Sequence, residues 1–316
     1  MYFPVAGIEI SPWVPPVLAF AISLFTSIGG LSGAVLLLPF QISVLGFTSP
    51  AVSATNHLFN IVAIPGGVWR YSREGRMVWP LTWIIIIGTL PGVLIGTLLR
   101  IRYLNDPEDF KLFVGMVLLY LSGKLVMDLL RKGKADRGQT IAEERFQRPL
   151  DNPNKGSGRG ELPKVSVRRF DALRLVYEFC DQEFELRTPR LMSLSLVIGV
   201  IGGIYGIGGG AIITPFLVTF FGIPVYVAGG AALMGTFVTS AAAVGFYQLL
   251  APLYPNTAVS PDWILGLLFG IGGMAGVYCG ARLQKFVPAG IVKTILAVCI
   301  LVPALGYIRS SLRRLA

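Results

Sequence analysis

Gly206-Ile207-Gly208-Gly209-Gly210-Ala211-Ile212-Ile213-Thr214-Pro215-Phe216 has a relative 176 positions earlier in the same chain, Gly30-Leu31-Ser32-Gly33-Ala34-Val35-Leu36-Leu37-Leu38-Pro39-Phe40. Gly46 and Gly222 follow at matching distances, and the register runs on without a gap to Tyr71 and Tyr247. Each copy sits in an over-long apolar run, roughly Val14–Leu45 and Leu191–Phe221. Glycine costs a helix interior about 1 kcal/mol relative to alanine, and an interior proline leaves a carbonyl one turn upstream without its donor. The copies therefore predict breaks inside apolar segments. In lipid the backbone groups freed at a break survive only where protein or a wet cavity satisfies them, so the breaks face inward. Duplicated broken helices that meet near the bilayer midplane are a signature of secondary transporters.

The rest of the composition agrees. Hydrophobic residues make up 53% of the 316 and charged ones 14%, with a mean hydropathy of +0.67. Such a chain belongs in a bilayer. Windows of about 20 apolar residues, enough to cross the hydrocarbon, predict an all-α polytopic protein of about eight membrane helices, four per half: Val14–Leu45, Ala51–Trp69, Trp79–Leu99, Phe110–Leu130, Leu191–Phe221, Val225–Leu250, Trp263–Ala281 and Ala289–Ile308. The organisation that follows is a first membrane repeat over 1–130, a basic insert over 131–190 and a second repeat over 191–316.

The net charge is +10, but the basic residues flank membrane segments instead of alternating with aromatics in a folded domain. Nucleic acid is thereby excluded as a partner. Fourteen of the 27 Lys and Arg fall between Arg131 and Arg190, three at Arg70, Arg73 and Arg76, and three at Arg309, Arg313 and Arg314. The positive-inside rule places these regions, and hence the insert and both termini, in the cytoplasm of a cell inner membrane. With four crossings per half the repeats would be parallel; a re-entrant first segment in each half would make them inverted. The insert reads as a polar, mobile stretch up to about Pro163, then a small β-hairpin turning at Asp181-Gln182.

Glycines at four-residue spacing in the third span of each half (Gly88, Gly92, Gly96 and Gly272, Gly276, Gly280) read as a close-packing stripe. The breaks admit two readings. A half-helix starting inside the membrane aims N–H groups and a positive dipole end at a bound anion, or the glycines only let helices cross closely; their recurrence at matched positions, each followed by proline, favours the ligand. The second span carries Asn56, His57 and Asn60 in an apolar run, the asparagines sharing a face, opposite Thr236 and then Thr239 in the second half. His57, the only histidine, is either a proton- or substrate-handling group or a hydrogen-bonded link between helices. The candidate substrate-binding set is thus Gly30, Ser32, Gly33, Asn56, His57, Asn60, Gly208, Gly209, Gly210, Thr236 and Thr239.

No HExxH, GxSxG, phosphate loop or paired His/Cys ligand set occurs, so an enzyme lacks its nucleophile, metal and base, and no cofactor is expected. The run Gly206-Ile207-Gly208-Gly209-Gly210-Ala211 with Pro215 and Gly222, its degenerate first copy, and Gly276-Val277-Tyr278-Cys279-Gly280-Ala281-Arg282 together resemble the TauE/SafE family of sulfite and organosulfonate exporters. That resemblance implies export of small sulfur-containing anions such as sulfite or sulfoacetate, driven by the membrane potential or by a proton or sodium gradient. The alternatives are a carrier for another small anion (sulfate, thiosulfate, a carboxylate) and a membrane subunit acting through its insert. The implied partners are a small anion, the bilayer and a coupling ion; a homo-oligomer is compatible with all of this.

Overall fold

The computed structural model describes residues 1–130, 141–146 and 164–315. The stretch read as mobile lies outside the described residues, apart from 141–146. A two-strand hairpin (β1, Tyr2–Phe3; β2, Ile8–Glu9) leads into the helices of the first half, α1 (Val14–Ile28), α2 (Ala34–Ser43), α3 (Ala51–Arg73), α4 (Trp79–Tyr103) and α5 (Pro107–Leu130). A helical turn over 141–146 and three strands, β3 (Ser166–Phe170), β4 (Arg174–Phe179) and β5 (Gln182–Arg187), precede those of the second half. These are α6 (Thr188–Tyr205), α7 (Ile213–Phe221), α8 (Val225–Leu250), α9 (Trp263–Leu283) and α10 (Ala289–Leu315). Among the described residues, Trp79–Tyr103, Thr188–Tyr205, Val225–Leu253 and Trp263–Phe286 are long and apolar enough to cross a membrane by length and composition.

The breaks fall where the glycines predict them, between α1 and α2 and between α6 and α7. At each the chain turns sharply through a left-handed glycine, Gly30 at φ +70° and Gly206 at φ +80°, a region that costs glycine no Cβ clash. After the break it runs back beside the helix it came from. A Cβ on Gly33 would press on Ser23, and Leu36 and Phe40 share a groove with Ile22. In the second copy Gly202 lies against Gly208 and Gly209, while Phe220 and Phe221 line a groove with Arg190 and Leu194. Each over-long segment is thus a helix–break–helix hairpin that returns to the end of the bundle it left, not one crossing.

Loop contacts fix which ends belong together. At one end the Val165 N–H donates to the Gly75 carbonyl, Lys285 reaches Glu74 at 3.4 Å, and the Glu143 carboxylate accepts from the Val225 N–H. This end holds the insert and the α3–α4, α7–α8 and α9–α10 connections. At the other, Ala6 N–H donates to Asp262, Ala51 N–H to the Ala258 carbonyl, and Arg100 to the Thr48 carbonyl. The N-terminal hairpin lies there, and α10 arrives there with Tyr307 bonded to Pro39 and Ser43. Both termini are therefore at the end opposite the insert. This corrects the expectation of four crossings per half with termini and insert on one side; the hydropathy of a hairpin and of a crossing is the same, and only the contacts of the returning helix separate them.

The halves interlock. The helix α1 lies along α9 and α6 along α4; α3 packs on α9 as α8 packs on α4, and α5 pairs with α10. The glycine stripes make those crossings. A Cβ on Gly92 would collide with the Leu196 carbonyl and lie 2.8 Å from the Val200 nitrogen; one on Gly280 would lie 2.5 Å from the Leu24 carbonyl. All five tryptophans face outward, Trp13 and Trp263 at one end, Trp69, Trp79 and Trp83 toward the other, in the manner of interfacial aromatic belts.

The insert sheet is a meander in the order β3-β4-β5, so the expected hairpin gains a third strand. Its turn falls one residue earlier than expected, at Cys180 and Asp181, both at positive φ (52° and 57°), the pairing a two-residue turn needs to match strand twist. Phe146 stacks on Tyr226 with centroids 4.7 Å apart and meets Phe179, wedging the sheet against the start of α8. Burial, then the Asp181 charge, pushes the Cys180 thiol up to about 12.

If the stripes are packing surfaces, Gly92→Ala should lower the melting temperature of detergent-solubilised protein and broaden its size-exclusion peak. Gly245→Ala should leave both unchanged or slightly improved: nothing lies within 4 Å of a Cβ there, and alanine gains about 1 kcal/mol of helix propensity.

Candidate functional site

The two hairpin tips meet inside the bundle and are tied together by side chains of the opposite half. The Asn56 amide donates to the Gly206 carbonyl at 2.9 Å and to the Ala34 carbonyl at 3.2 Å, and the Asn60 amide to the Ile207 carbonyl at 2.9 Å. In the reverse sense Thr214 Oγ1 donates to the Gly30 carbonyl and Tyr205 Oη to the Val35 carbonyl, both at 2.8 Å. The carbonyls released by the breaks are what these groups satisfy. In hydrocarbon each would otherwise be a buried acceptor without a donor, at a cost of about 1–3 kcal/mol.

Around this tie lies a closed polar cluster. Ser32 Oγ donates to Asn60 Oδ1 and accepts from the Ala34 N–H. Ser240 Oγ joins Asn60 Nδ2 (3.2 Å) to His57 Nδ1 (3.1 Å), and Thr239 Oγ1 accepts from the Gly209 N–H at 3.1 Å. Ser32, Asn56, His57, Asn60, Thr236, Thr239 and Ser240 all have 0% exposure. His57 Nε2, Gln41 Oε1 and Ser53 Oγ are buried without a hydrogen-bond partner. The chain entering α2 and α7 borders this cluster: Ser32 Oγ caps the Ala34 N–H, and the Val35, Leu36 and Ile213 N–H groups bond the Ser32, Gly33 and Gly210 carbonyls of the turn before. The cluster contains amides, hydroxyls, an imidazole and the backbone of two helix starts and, among the described residues, no carboxylate.

The structure thus brings together Ser32, Gly33, Asn56, His57, Asn60, Gly208, Gly209, Gly210, Thr236 and Thr239. Gly30 stands apart: a Cβ there would lie 2.9 Å from Gly229 Cα, at the tip of the first hairpin. Glycines 208–210 are tightly backed, since side chains at Gly208 and Gly210 would meet Thr236 and one at Gly209 would meet Thr89. The close-crossing reading therefore accounts for the bare backbone on those faces. His57 makes the hydrogen-bonded link between α3 and α8.

Sequence reasoning passed over Ser240, Gln41, Thr89 and Ser53, which read as ordinary small polar residues of helices. It also passed over two buried side-chain clusters, one toward each end of the bundle. Toward the insert, Tyr71 Oη donates to Gln284 Oε1 at 2.7 Å, and fully buried Arg76 donates to the same oxygen at 2.8 Å and pairs with Glu74. The Arg76 guanidinium lies 4.3 Å from the Tyr71 ring centroid. At the other end Tyr247 faces Ser53, Thr97 and Arg100. Tyr247 is the repeat partner of Tyr71, and Arg100 that of Gln284 in the register that aligns Gly96 with Gly280. The offset that matched the two tyrosines was the available signal.

A bundle of outward-apolar helices whose two broken hairpins enclose a polar cluster is the architecture of a polytopic membrane carrier. The family model described as "Sulfite exporter TauE/SafE" matches residues 16–307, and the chain belongs to that family of membrane transporters. A curated relative, the "Probable membrane transporter protein" of Methanocaldococcus jannaschii, is 25% identical over 134 residues, 40% of this chain and 47% of the relative. The match thus spans about half of that relative's length. No solved structure matches the chain.

If the asparagines serve the breaks, Asn60→Ala should destabilise the solubilised protein by about 1–3 kcal/mol, because it strands the Ile207 carbonyl. Thr236→Val should cost much less, since the Thr236 hydroxyl donates to Ala232 of its own helix. Equal losses in thermal unfolding would contradict this division.

Proposed function

We propose that this protein is a secondary carrier that exports small sulfur-containing anions, sulfite or organosulfonates, across the cell inner membrane. The observation that carries the reading is the enclosed polar cluster between two hairpin tips, furnished with helix starts, amide and hydroxyl groups and, among the described residues, no carboxylate. Helix N-termini supply anion-binding N–H groups and a positive dipole end. The family's name supports the sulfur oxyanion; sulfate, thiosulfate and carboxylates are the competing substrates. The substrate-binding residues in this reading are Ser32, Gly33, Asn56, His57, Asn60, Gly208–Gly210, Thr236 and Thr239, with Gly30 shaping the first tip.

The helices α3, α4, α5, α8, α9 and α10 make six crossings, and the two hairpins re-enter from opposite faces. Three crossings per half make the repeats inverted. Nineteen of the 27 basic residues lie at or next to the insert end and six at the other, so the insert is cytoplasmic and both termini face outward. An interior-negative potential of 100 mV assists the exit of each negative charge by about 2.3 kcal/mol. Substrate binding and release alternate as the Tyr71–Gln284–Arg76 seal and the Tyr247–Arg100 seal open in turn, with both closed in this structure.

Proteoliposomes with a fixed membrane potential test this. Sulfite should leave the compartment that is electrically negative, in preference to chloride, and collapsing the potential should slow it several-fold. If His57 carries a coupling proton, flux between pH 5.5 and 8 should depend on pH and His57→Gln should flatten that profile. Parallel profiles would restrict His57 to linking α3 and α8. Absence of sulfite, sulfonate and sulfate flux in the wild type would overturn the anion reading.

A further inference from the structure

Among the described residues, Arg100 is a fully buried cation without a counter-ion. Its relative exposure is 0%, it takes part in no ion pair, and its neighbours are the Leu104 carbonyl, the Thr48 carbonyl at 3.4 Å, the Phe110 ring at 3.6 Å and Tyr247. Its Nε has no hydrogen-bond partner. Arg76, the buried arginine at the other end, has a carboxylate partner in Glu74, which it shares with Arg70 and Lys285. The repeat does not demand a charge at position 100, because the matching residue, Gln284, closes the equivalent seal as a neutral amide. A cation that only caps the last carbonyls of α4 works as well in water, as exposed Arg102 could in the same turn. Burying an ion without a partner is strongly unfavourable, so the charge at Arg100 calls for a further reason.

The neighbourhood supplies one. The His57 and Tyr247 ring centroids are 6.1 Å apart, so Tyr247, with Ser53 and Thr97 beside it, lies between the central cluster and Arg100. On its other side Arg100 meets the Phe110 ring and the loops that carry Thr48 and Leu104. We propose that Arg100 is a second anion-binding group, at the outer end of the path. When Tyr247 moves aside, the guanidinium takes an oxyanion by two parallel N–H···O bonds in place of the Thr48 and Leu104 carbonyls. Its planar fork matches the oxygens of a sulfite or sulfonate group, which a lysine ammonium does not. This rests on the reading of the chain as an anion carrier and adds to it a specificity-determining residue outside the central cluster.

The experiment measures sulfite flux by the full chain in proteoliposomes, with substrate presented at the outer or the inner face, and sulfite-dependent thermal stabilisation of the solubilised protein. Arg100→Gln should raise the outer-face KM by about tenfold or more and Arg100→Lys by several-fold. Because the driving force fixes the ratio of Vmax/KM in the two directions, inner-face Vmax/KM should fall by the same factor. Arg100→Lys keeps the charge and the carbonyl bonds, so it decides the matter if Arg100→Gln does not fold. Unchanged outer-face KM in a folded variant, with wild-type flux intact, would make Arg100 a helix cap and overturn the proposal while leaving the carrier reading in place. A wild type that neither moves sulfite nor is stabilised by it would overturn both.

Discussion

The bonds that the rest of the molecule depends on are those that satisfy the carbonyls released at the two breaks. Gly206 and Ile207 offer theirs to Asn56 and Asn60 of the first half, and Gly30 offers its own to Thr214 of the second. Neither half can complete its own break. A hairpin tip without the opposite half would hold unpaired peptide groups in hydrocarbon, the state that membrane proteins avoid most consistently. The interlocked pairs α1 with α9 and α6 with α4, and the bare glycine faces that let them touch, follow from the need to bring each tip to its partner.

The same arrangement gives the site its chemistry. Groups that close the breaks also line the place where α2 and α7 begin, so the polar cluster and the structural tie are one object. That dual use explains why its polar atoms are almost all engaged, with His57 Nε2 and Gln41 Oε1 among those left over. A substrate can be taken up only by exchanging some of these bonds. The two ends then differ in charge: Arg76 with Gln284 has a shared carboxylate partner in Glu74 on the insert side, while Arg100 on the other has none among the described residues.

The places where the helices break and the packing stripes of Gly88–Gly96 and Gly272–Gly280 were legible because they depend on local backbone preference and on spacing. The path of the chain after each break was not. Val14–Leu45 has the hydropathy of a crossing, and the contacts of Gly33 with Ser23 that turn it into a hairpin are tertiary. The basic residues Arg309–Arg314 grouped the tail with the insert by charge alone, whereas they fall in the last turns of α10, which runs to the end opposite the insert. In the cluster, Asn56, His57 and Asn60 stood out as polar residues in an apolar run. Thr89 and Ser53 did not, because single hydroxyls are common in any membrane segment, and the bonds of Ser240 to α3 are tertiary. Arg100 stands at the end of an apolar span, where sequence alone does not distinguish a buried cation from an interfacial one.

The central claim is that two hairpins enter from opposite faces, so that the halves are inverted. The most direct measurement is membrane-impermeant thiol labelling of Arg73→Cys and Asn256→Cys in a background without Cys180, Cys279 and Cys299, in intact cells and in inverted vesicles. Both positions are exposed, one at each end of the bundle. The account requires Arg73→Cys to label only from the cytoplasmic face and Asn256→Cys only from the outer face. Labelling of both from the same face would contradict it, because it would restore four crossings per half and leave the tips without the partners that hold them.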